Sequence, residues 1–300
     1  MVLLVSLLAA VSIDCANGMS SPAARRVLVT GGNAGIGLAL CTKLASEDNC
    51  MVYLGARSEE KGRAAVASLK QACPAAKVEF LHIDVTSVES VKRAAERVAA
   101  GGKLFALVNN AGIGLGTATD GDLHSVIETN YYGALKVSKE FVPLIEDGGK
   151  LVNLGSGAAS GYVSKNVGVA TEAERMKLAS SDVTAADIEA IIAKEKQASY
   201  SNDGYCVYSL SKACLTAHTM IQARENPSLT VSVCSPGFIK TAMTAGFGAK
   251  LEPDKGTISI RHCLFDVPHE KTGWYWGSDA KRSPLHKPRD PGTPEWQPDE

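Results

Sequence analysis

The sequence predicts an α/β fold, a doubly wound parallel sheet in a single domain, on three observations. Short apolar segments alternate with stretches of helical length. The apolar segments are rich in Val, Leu and Ile. The first of them runs straight into a glycine-rich turn. Candidate strands lie at 26–30, 51–55, 78–83, 104–108, 151–154 and 230–234, and 272–276 would add a last one. Strands covered by helices on both faces need no polar side, so they read as unbroken apolar runs. Candidate helices fill 36–47, 59–71, 88–99 and 123–144.

Two regions break this rhythm. Residues 158–206 carry two helical patterns and no convincing strand, which predicts a helical insertion. In the second pattern Thr184 and Asp187 form a partial capping box, and Ile188, Ile191 and Ile192 give an apolar stripe. Residues 279–300 are polar and proline-rich, as expected of a loop or loosely held terminus.

Composition narrows the function classes. The 300 residues are 45% hydrophobic and 21% charged, with a formal net charge of −1. That is an ordinary globular balance, with no basic run to attract nucleic acid or anionic lipid. The eight cysteines show neither a C-x-x-C pair nor metal-ligand spacing, so buried thiols and no metal are expected. Residues 1–18 form an apolar leader. It is short of the ~20 residues of an ordinary membrane span and lacks the positive start of a signal peptide. Met19 then offers a conventional beginning. The expectation is a domain over 19–278, no stable membrane insertion and a cytoplasmic location, with secretory or membrane-associated targeting as the alternative.

The chemistry begins at Thr30-Gly31-Gly32-Asn33-Ala34-Gly35-Ile36-Gly37. Glycines here allow a tight strand-to-helix turn and a close backbone approach to a pyrophosphate, which the N–H groups of the following helix would bind. Gly31, Asn33, Gly35, Ile36 and Gly37 are therefore candidate dinucleotide contacts. The second strand ends at Ala56-Arg57, where an NAD site usually has an acid for the ribose 2′-hydroxyl. Arg57 and Lys61 would instead attract a 2′-phosphate, which points to NADP(H). Further on, Tyr208 and Lys212 stand four apart and share a helical face. A tyrosine is a poor acid–base group at neutral pH until a nearby cation stabilises its phenolate, and Lys212 is placed to do so.

These motifs, in this order, resemble the classical short-chain dehydrogenase/reductase family over about residues 25–277. Thr30–Gly37 matches its T-G-x-x-x-G-x-G loop, and Asn109-Asn110-Ala111-Gly112 its N-N-A-G segment. Asn130, Ser156, Tyr208 and Lys212 match its catalytic tetrad, and Ser235-Pro236-Gly237 its P-G motif. The long interval between Ser156 and Tyr208 resembles the monomeric carbonyl reductase branch, as do Ala56-Arg57…Gly62 and Thr129-Asn130-Tyr131-Tyr132-Gly133. Ala34 departs from the basic residue that NADP-preferring members often carry there. The preference then rests on Arg57 and Lys61.

The resemblance implies a Rossmann-type fold and a monomer, because the insertion covers the face that other members use to form tetramers. It implies NADPH-dependent reduction of a small ketone, aldehyde or quinone. Tyr208 would donate the proton and Ser156 would polarise the carbonyl. Lys212 would lower the Tyr208 pKa and bind ribose hydroxyls, and Asn130 would hold a water beside Lys212. Asp84 and Val85 would contact adenine, and Asn110, Ala111 and Gly112 would line the nucleotide. Pro236, Gly237 and Thr241 would lie near the nicotinamide amide. Two alternatives stay open: a secondary-alcohol dehydrogenase running oxidatively, and a non-catalytic NADPH-binding regulatory protein, which predicts a damaged tetrad. Cys206, His82, His124 and His218 are expected to be structural. Trp274 and Trp276 either wall the substrate pocket or pack on the last strand.

Overall fold

The computed structural model describes residues 24–114, 123–165, 168–198 and 204–298. The apolar leader and parts of the insertion fall outside them. The strands are β1 (Arg26–Thr30), β2 (Met51–Ala56), β3 (Val78–His82), β4 (Leu104–Asn109), β5 (Ile145–Leu154), β6 (Thr230–Cys234) and β7 (Tyr275–Trp276). They form one parallel sheet in the order β3-β2-β1-β4-β5-β6-β7. The order reverses between β1 and β4, and this opens a crevice beyond their carboxyl ends, where ligands bind in open α/β sheets.

Alternation along each strand feeds two apolar layers. Val27, Val29, Val52 and Leu54 face one layer, which α1 (Gly35–Ser46), α2 (Glu59–Ala72) and α10 (Ile258–Phe265) complete with Leu40, Leu44, Leu69, Ile260 and Leu264. Leu28, Tyr53 and Leu107 face the other, against α3 (Val88–Ala99) and α5 (Gly133–Phe141). The long α9 (Gly204–Glu225) lies on this second side and bridges to the insertion. Among the described residues, no helix is long and apolar enough to cross a membrane.

The predicted helix over 123–144 is interrupted. A short α4 (Leu123–Ile127) passes into a π turn at Glu128–Tyr132 before α5 begins. The amide of Gly133 reaches back five residues to the Glu128 carbonyl. The extra residue leaves the buried amide of Asn130 bonded to Ile113 and Ser211, partners outside its own helix. Strand β5 also starts earlier than predicted. Ile145 pairs with Leu104 before a register shift, and the Gly148-Gly149 turn signal masked this pairing.

The described parts of the insertion hold α6 (Gly157–Ser164), α7 (Glu172–Lys177) and α8 (Ala185–Gln197). Both α7 and α8 start with complete capping boxes, at Thr171/Glu174 and Thr184/Asp187. Ile188, Ile191 and Ile192 bury their stripe with Leu210, Cys214 and Ala217 of α9. The fully buried carboxylate of Glu195 accepts from the Tyr162 hydroxyl at 2.7 Å and from the Ala170 amide at 3.1 Å. A buried acid survives only with such donors.

Residues 279–298 contain no helix or strand, but they are not loose. The chain doubles back along β7, with Ser283 N–H donating to the Tyr275 carbonyl at 2.8 Å. Arg289 forms an ion pair with Asp279, and the Arg282 guanidinium stacks 3.7 Å from the Trp274 ring and 4.7 Å from Trp296. This strap covers the outer edge of the sheet, a position that would otherwise invite strand addition.

Candidate active site

A cleft of about 330 Å³ lies over the crevice between β1 and β4. Its floor is the glycine loop. Gly31 adopts φ +66° and Gly35 φ +53°, backbone that favours glycine. A Cβ on Gly37 would stand 2.3 Å from the Gly31 carbonyl oxygen and 2.5 Å from Asn110 Nδ2. Asn110 braces the loop by donating to the Thr30 carbonyl at 2.7 Å. Thr30 Oγ1 accepts from the amides of Asn110 and Ala111 at 3.1 Å, which ties the loop to the end of β4. Gly37→Ala is expected to cost ~1–3 kcal/mol of stability by overpacking. It should also cut nucleotide affinity at least roughly ten-fold, since each ~1.4 kcal/mol is a factor of ten. Thermal unfolding and fluorescence titration would check both.

The donor set fits a dinucleotide. The helices α2, α3, α6, α7 and α8 each have a Ser or Thr side chain that caps the N-terminus, whereas α1 follows Ala34 and has no side-chain cap. Its first N–H groups face the cleft as an anion-binding end. Asn33, Ile36, Arg57, Asp84, Val85, Asn110, Ala111, Gly112, Pro236 and Thr241 also line the cleft. The Asp84 carboxylate is turned toward its own bend, accepting from the Thr86 amide and hydroxyl at 2.9 and 2.8 Å.

Two expected contacts are not on the cleft wall. Lys61 is exposed in the first turn of α2 and does not line the cleft. Arg57 is thus the cation at this edge of the wall. Gly237, at φ +90°, turns toward Ser278. Trp274 and Trp276 are also off the cleft. Trp276 joins the buried layer with Ile260 and Leu264, and Trp274 packs against Arg282. His218 lies edge-on to Tyr131, and burial pulls its pKa down to about 4.

Tyr208 and Lys212 line the inner end of the cleft. Ser156 and Asn130 are not on its wall but stand behind it, Ser156 beside Tyr208 and Asn130 near Lys212. Ser156 ends the loop after β5 and caps α6, accepting from the Ala158 amide at 3.2 Å. Its hydroxyl lies beside Tyr208. Burial raises the Tyr208 pKa, and the neighbouring Ser156 hydroxyl partly opposes this. Lys212 is nearly buried and its Nζ donates to the Leu154 carbonyl at 2.8 Å, with the ammonium 5.7 Å from the Tyr208 ring centre. Burial pulls the Lys212 pKa down to about 8. The Asn130 amide donates to the Ile113 carbonyl at 2.9 Å and to Ser211 Oγ at 3.0 Å, and its oxygen accepts from the Ile113 amide at 2.8 Å. Motif reasoning did not single out Ser211 or the Leu154 carbonyl, and it took Thr30 only as the start of the glycine loop. Their roles come from contacts across the chain, for which short-range spacing carries no signal. Gly114, at φ +132°, was likewise missed; a Cβ there would stand 2.7 Å from Tyr208 Cδ2.

Sequence and fold comparisons agree with this geometry. Residues 25–171 match the family model for short chain dehydrogenases. The chain is 30% identical to (+)-neomenthol dehydrogenase of Arabidopsis thaliana over 85% of its length and 95% of that protein. It is also 30% identical to carbonyl reductase (NADPH) 1 of Mus musculus, over 76% of the chain and 86% of the relative. The solved structure of salutaridine reductase from Papaver somniferum superposes with a TM-score of 0.71 at 27% identity, covering 84% of this chain and 99% of that one. The chain belongs to the short-chain dehydrogenase/reductase family and is an oxidoreductase of that family.

Proposed function

We propose that the protein is an NADPH-dependent carbonyl reductase that takes a small ketone, aldehyde or quinone to its alcohol. The observation that carries this reading is the run of one cleft from Arg57 past the uncapped start of α1 to Tyr208 and Lys212, with Ser156 beside Tyr208. Relatives named as carbonyl and salutaridine reductases add to it. The cleft residues fit NADP(H), with Arg57 toward the 2′-phosphate and the α1 N-terminus toward the pyrophosphate. When bound, the nicotinamide supplies a hydride to the carbonyl carbon.

The remaining steps belong to the chain. Ser156 donates a hydrogen bond to the substrate oxygen and polarises it. Tyr208, held protonated at neutral pH by burial, gives its proton to the forming alkoxide. The Lys212 ammonium stabilises the phenolate left behind. Both N–H bonds of the Asn130 amide are spent on Ile113 and Ser211, but its oxygen keeps a lone pair for a water beside Lys212. That water returns the proton to Tyr208 through Lys212. The packing of α8 over α9 supports a monomer.

The test is oxidation of NADPH against NADH by the chain from Met19 onward, with a panel of quinones, aromatic aldehydes and ketones. Turnover favouring NADPH supports the reading, and tight NADPH binding with no turnover across the panel moves weight to a regulatory role. Arg57→Asp is expected to shift the NADPH/NADH preference toward NADH by roughly ten- to a hundred-fold, the value of one charge-assisted hydrogen bond. An unchanged ratio would place the 2′-phosphate elsewhere.

A further inference from the structure

Between the sheet and α9 lies a buried polar chain that the reaction does not use. Asn109 of β4 and Asn153 of β5 are paired residues in the sheet. Asn109 Nδ2 donates to Ser138 Oγ of α5 at 3.0 Å and to Asn153 Oδ1 at 2.9 Å. Asn153 Nδ2 donates in turn to Thr219 Oγ1 at 2.9 Å and to Gln222 Oε1 at 2.8 Å, both on α9. All five residues are at most 5% exposed. The Thr219 hydroxyl spends its own proton on the Leu215 carbonyl at 2.8 Å, so towards Asn153 it can only accept. Both protons of the Asn153 amide are thus committed to α9.

The surrounding layer is apolar, with Leu107, Val137, Leu151 and Val231. A leucine packed on a valine tolerates a small slip along the helix axis. Buried hydrogen bonds do not, because a slip leaves an N–H unpaired. On α9, Tyr208, Lys212, Thr219 and Gln222 share one face. Lys212 makes the neighbouring attachment to β5, its Nζ donating to the carbonyl of Leu154, the residue after Asn153. In the proposed reaction Lys212 serves the Tyr208 phenolate, so its own bond is a poor anchor for the helix that carries both.

We propose that Asn153 is a positioning residue: through Thr219 and Gln222 it fixes how far along β5 the helix α9 sits, and so keeps Tyr208 and Lys212 at the inner end of the cleft. Its effect on rate rests on the reductase reading, whereas its effect on the setting of α9 does not.

The experiment compares wild type with Thr219→Val, Gln222→Met, their double variant and Thr219→Ser. Valine and methionine keep the shape and remove the acceptor, whereas serine keeps the acceptor. The readouts are kcat and KM on a carbonyl reduced by wild type, the unfolding midpoint in denaturant, and NMR titration of Lys212 in the nucleotide-free protein. The Lys212 resonance is assigned with Lys212→Met. The double variant should lose roughly ten-fold in kcat, since a ~1 Å misplacement can cost ~10²-fold. Its KM should stay nearly unchanged. Its Lys212 should titrate closer to an ordinary lysine, because a displaced helix lets water reach the ammonium. Thr219→Ser should match wild type in both respects. A lower unfolding midpoint with unchanged kcat and unchanged Lys212 titration would make the chain a matter of stability alone and overturn the proposal. Equal kcat losses in Thr219→Ser and Thr219→Val would assign the effect to packing and overturn it too. If the double variant does not fold, the single variants carry the same comparison. Wild type that reduces no carbonyl overturns the reductase reading instead, and the Lys212 titration then decides the setting of α9 alone.

Discussion

Tyr208→Phe is expected to lower carbonyl turnover by at least ~10²–10⁴-fold, the usual share of a positioned general acid, with NADPH affinity nearly unchanged. The phenol is buried at the inner end of the cleft beside Ser156, with Lys212 close by. Its ring packs over Gly114, so a phenylalanine keeps the wall and removes only the oxygen. Neither Ser156 nor Lys212 can replace it. A serine hydroxyl is too weak an acid, and Lys212 delivers its proton only by way of the Tyr208 oxygen. Steady-state rates and nucleotide titration of the same variant settle the matter. Turnover near that of wild type would remove Tyr208 from the proton-donor role.

Lys212→Met is expected to inactivate the enzyme and, without nucleotide, to stabilise it. Burial lowers the lysine pKa from 10.5 to about 8. Between these values the unfolded chain holds a proton that the folded chain has lost. Stability therefore rises with pH across that window, and below about pH 8 the folded state bears the full cost of a buried ammonium. At ~1.4 kcal/mol per unit that cost is on the order of 3 kcal/mol. Loss of the bond to Leu154 gives back ~1 kcal/mol. Lys212→Met should thus be more stable than wild type by ~1–2 kcal/mol at pH 7, and the gain should shrink toward pH 10. Denaturant unfolding of the nucleotide-free proteins at both pH values is the measurement. A variant less stable at pH 7 would show that the ammonium is well solvated in the fold.

Most of the sheet was legible because β1, β2 and β4 carry long apolar runs and β6 is rich in β-branched residues. The glycine loop and the Tyr208/Lys212 pair were legible for a related reason: their geometry lies within one turn of chain. What failed to show depends on partners far away in sequence. The π turn is tied to Ile113 and Ser211, and the strap is held by Trp274, Asp279 and Ser160. Polar composition suggested a loop or loosely held terminus at 279–300; the described residues are a loop, but composition cannot register that an arginine will stack between two tryptophans and hold it. Lys61 shows the opposite error. Arg57 precedes the Ser58 cap and lies outside α2, so closeness in sequence did not bring Lys61 to the cleft wall.

The π turn at Glu128–Tyr132 amounts to an insertion that the helix has already absorbed. Removing one residue from an ordinary helix rotates everything beyond it by about 100°. Here the same loss would restore a continuous spiral, so the backbone would welcome it. The chemistry would not, because Asn130 would swing away from Ile113 and Ser211. Single-residue deletions in this segment therefore separate fold from function. A chain that loses one residue here can gain regularity and still lose its brace beside Lys212.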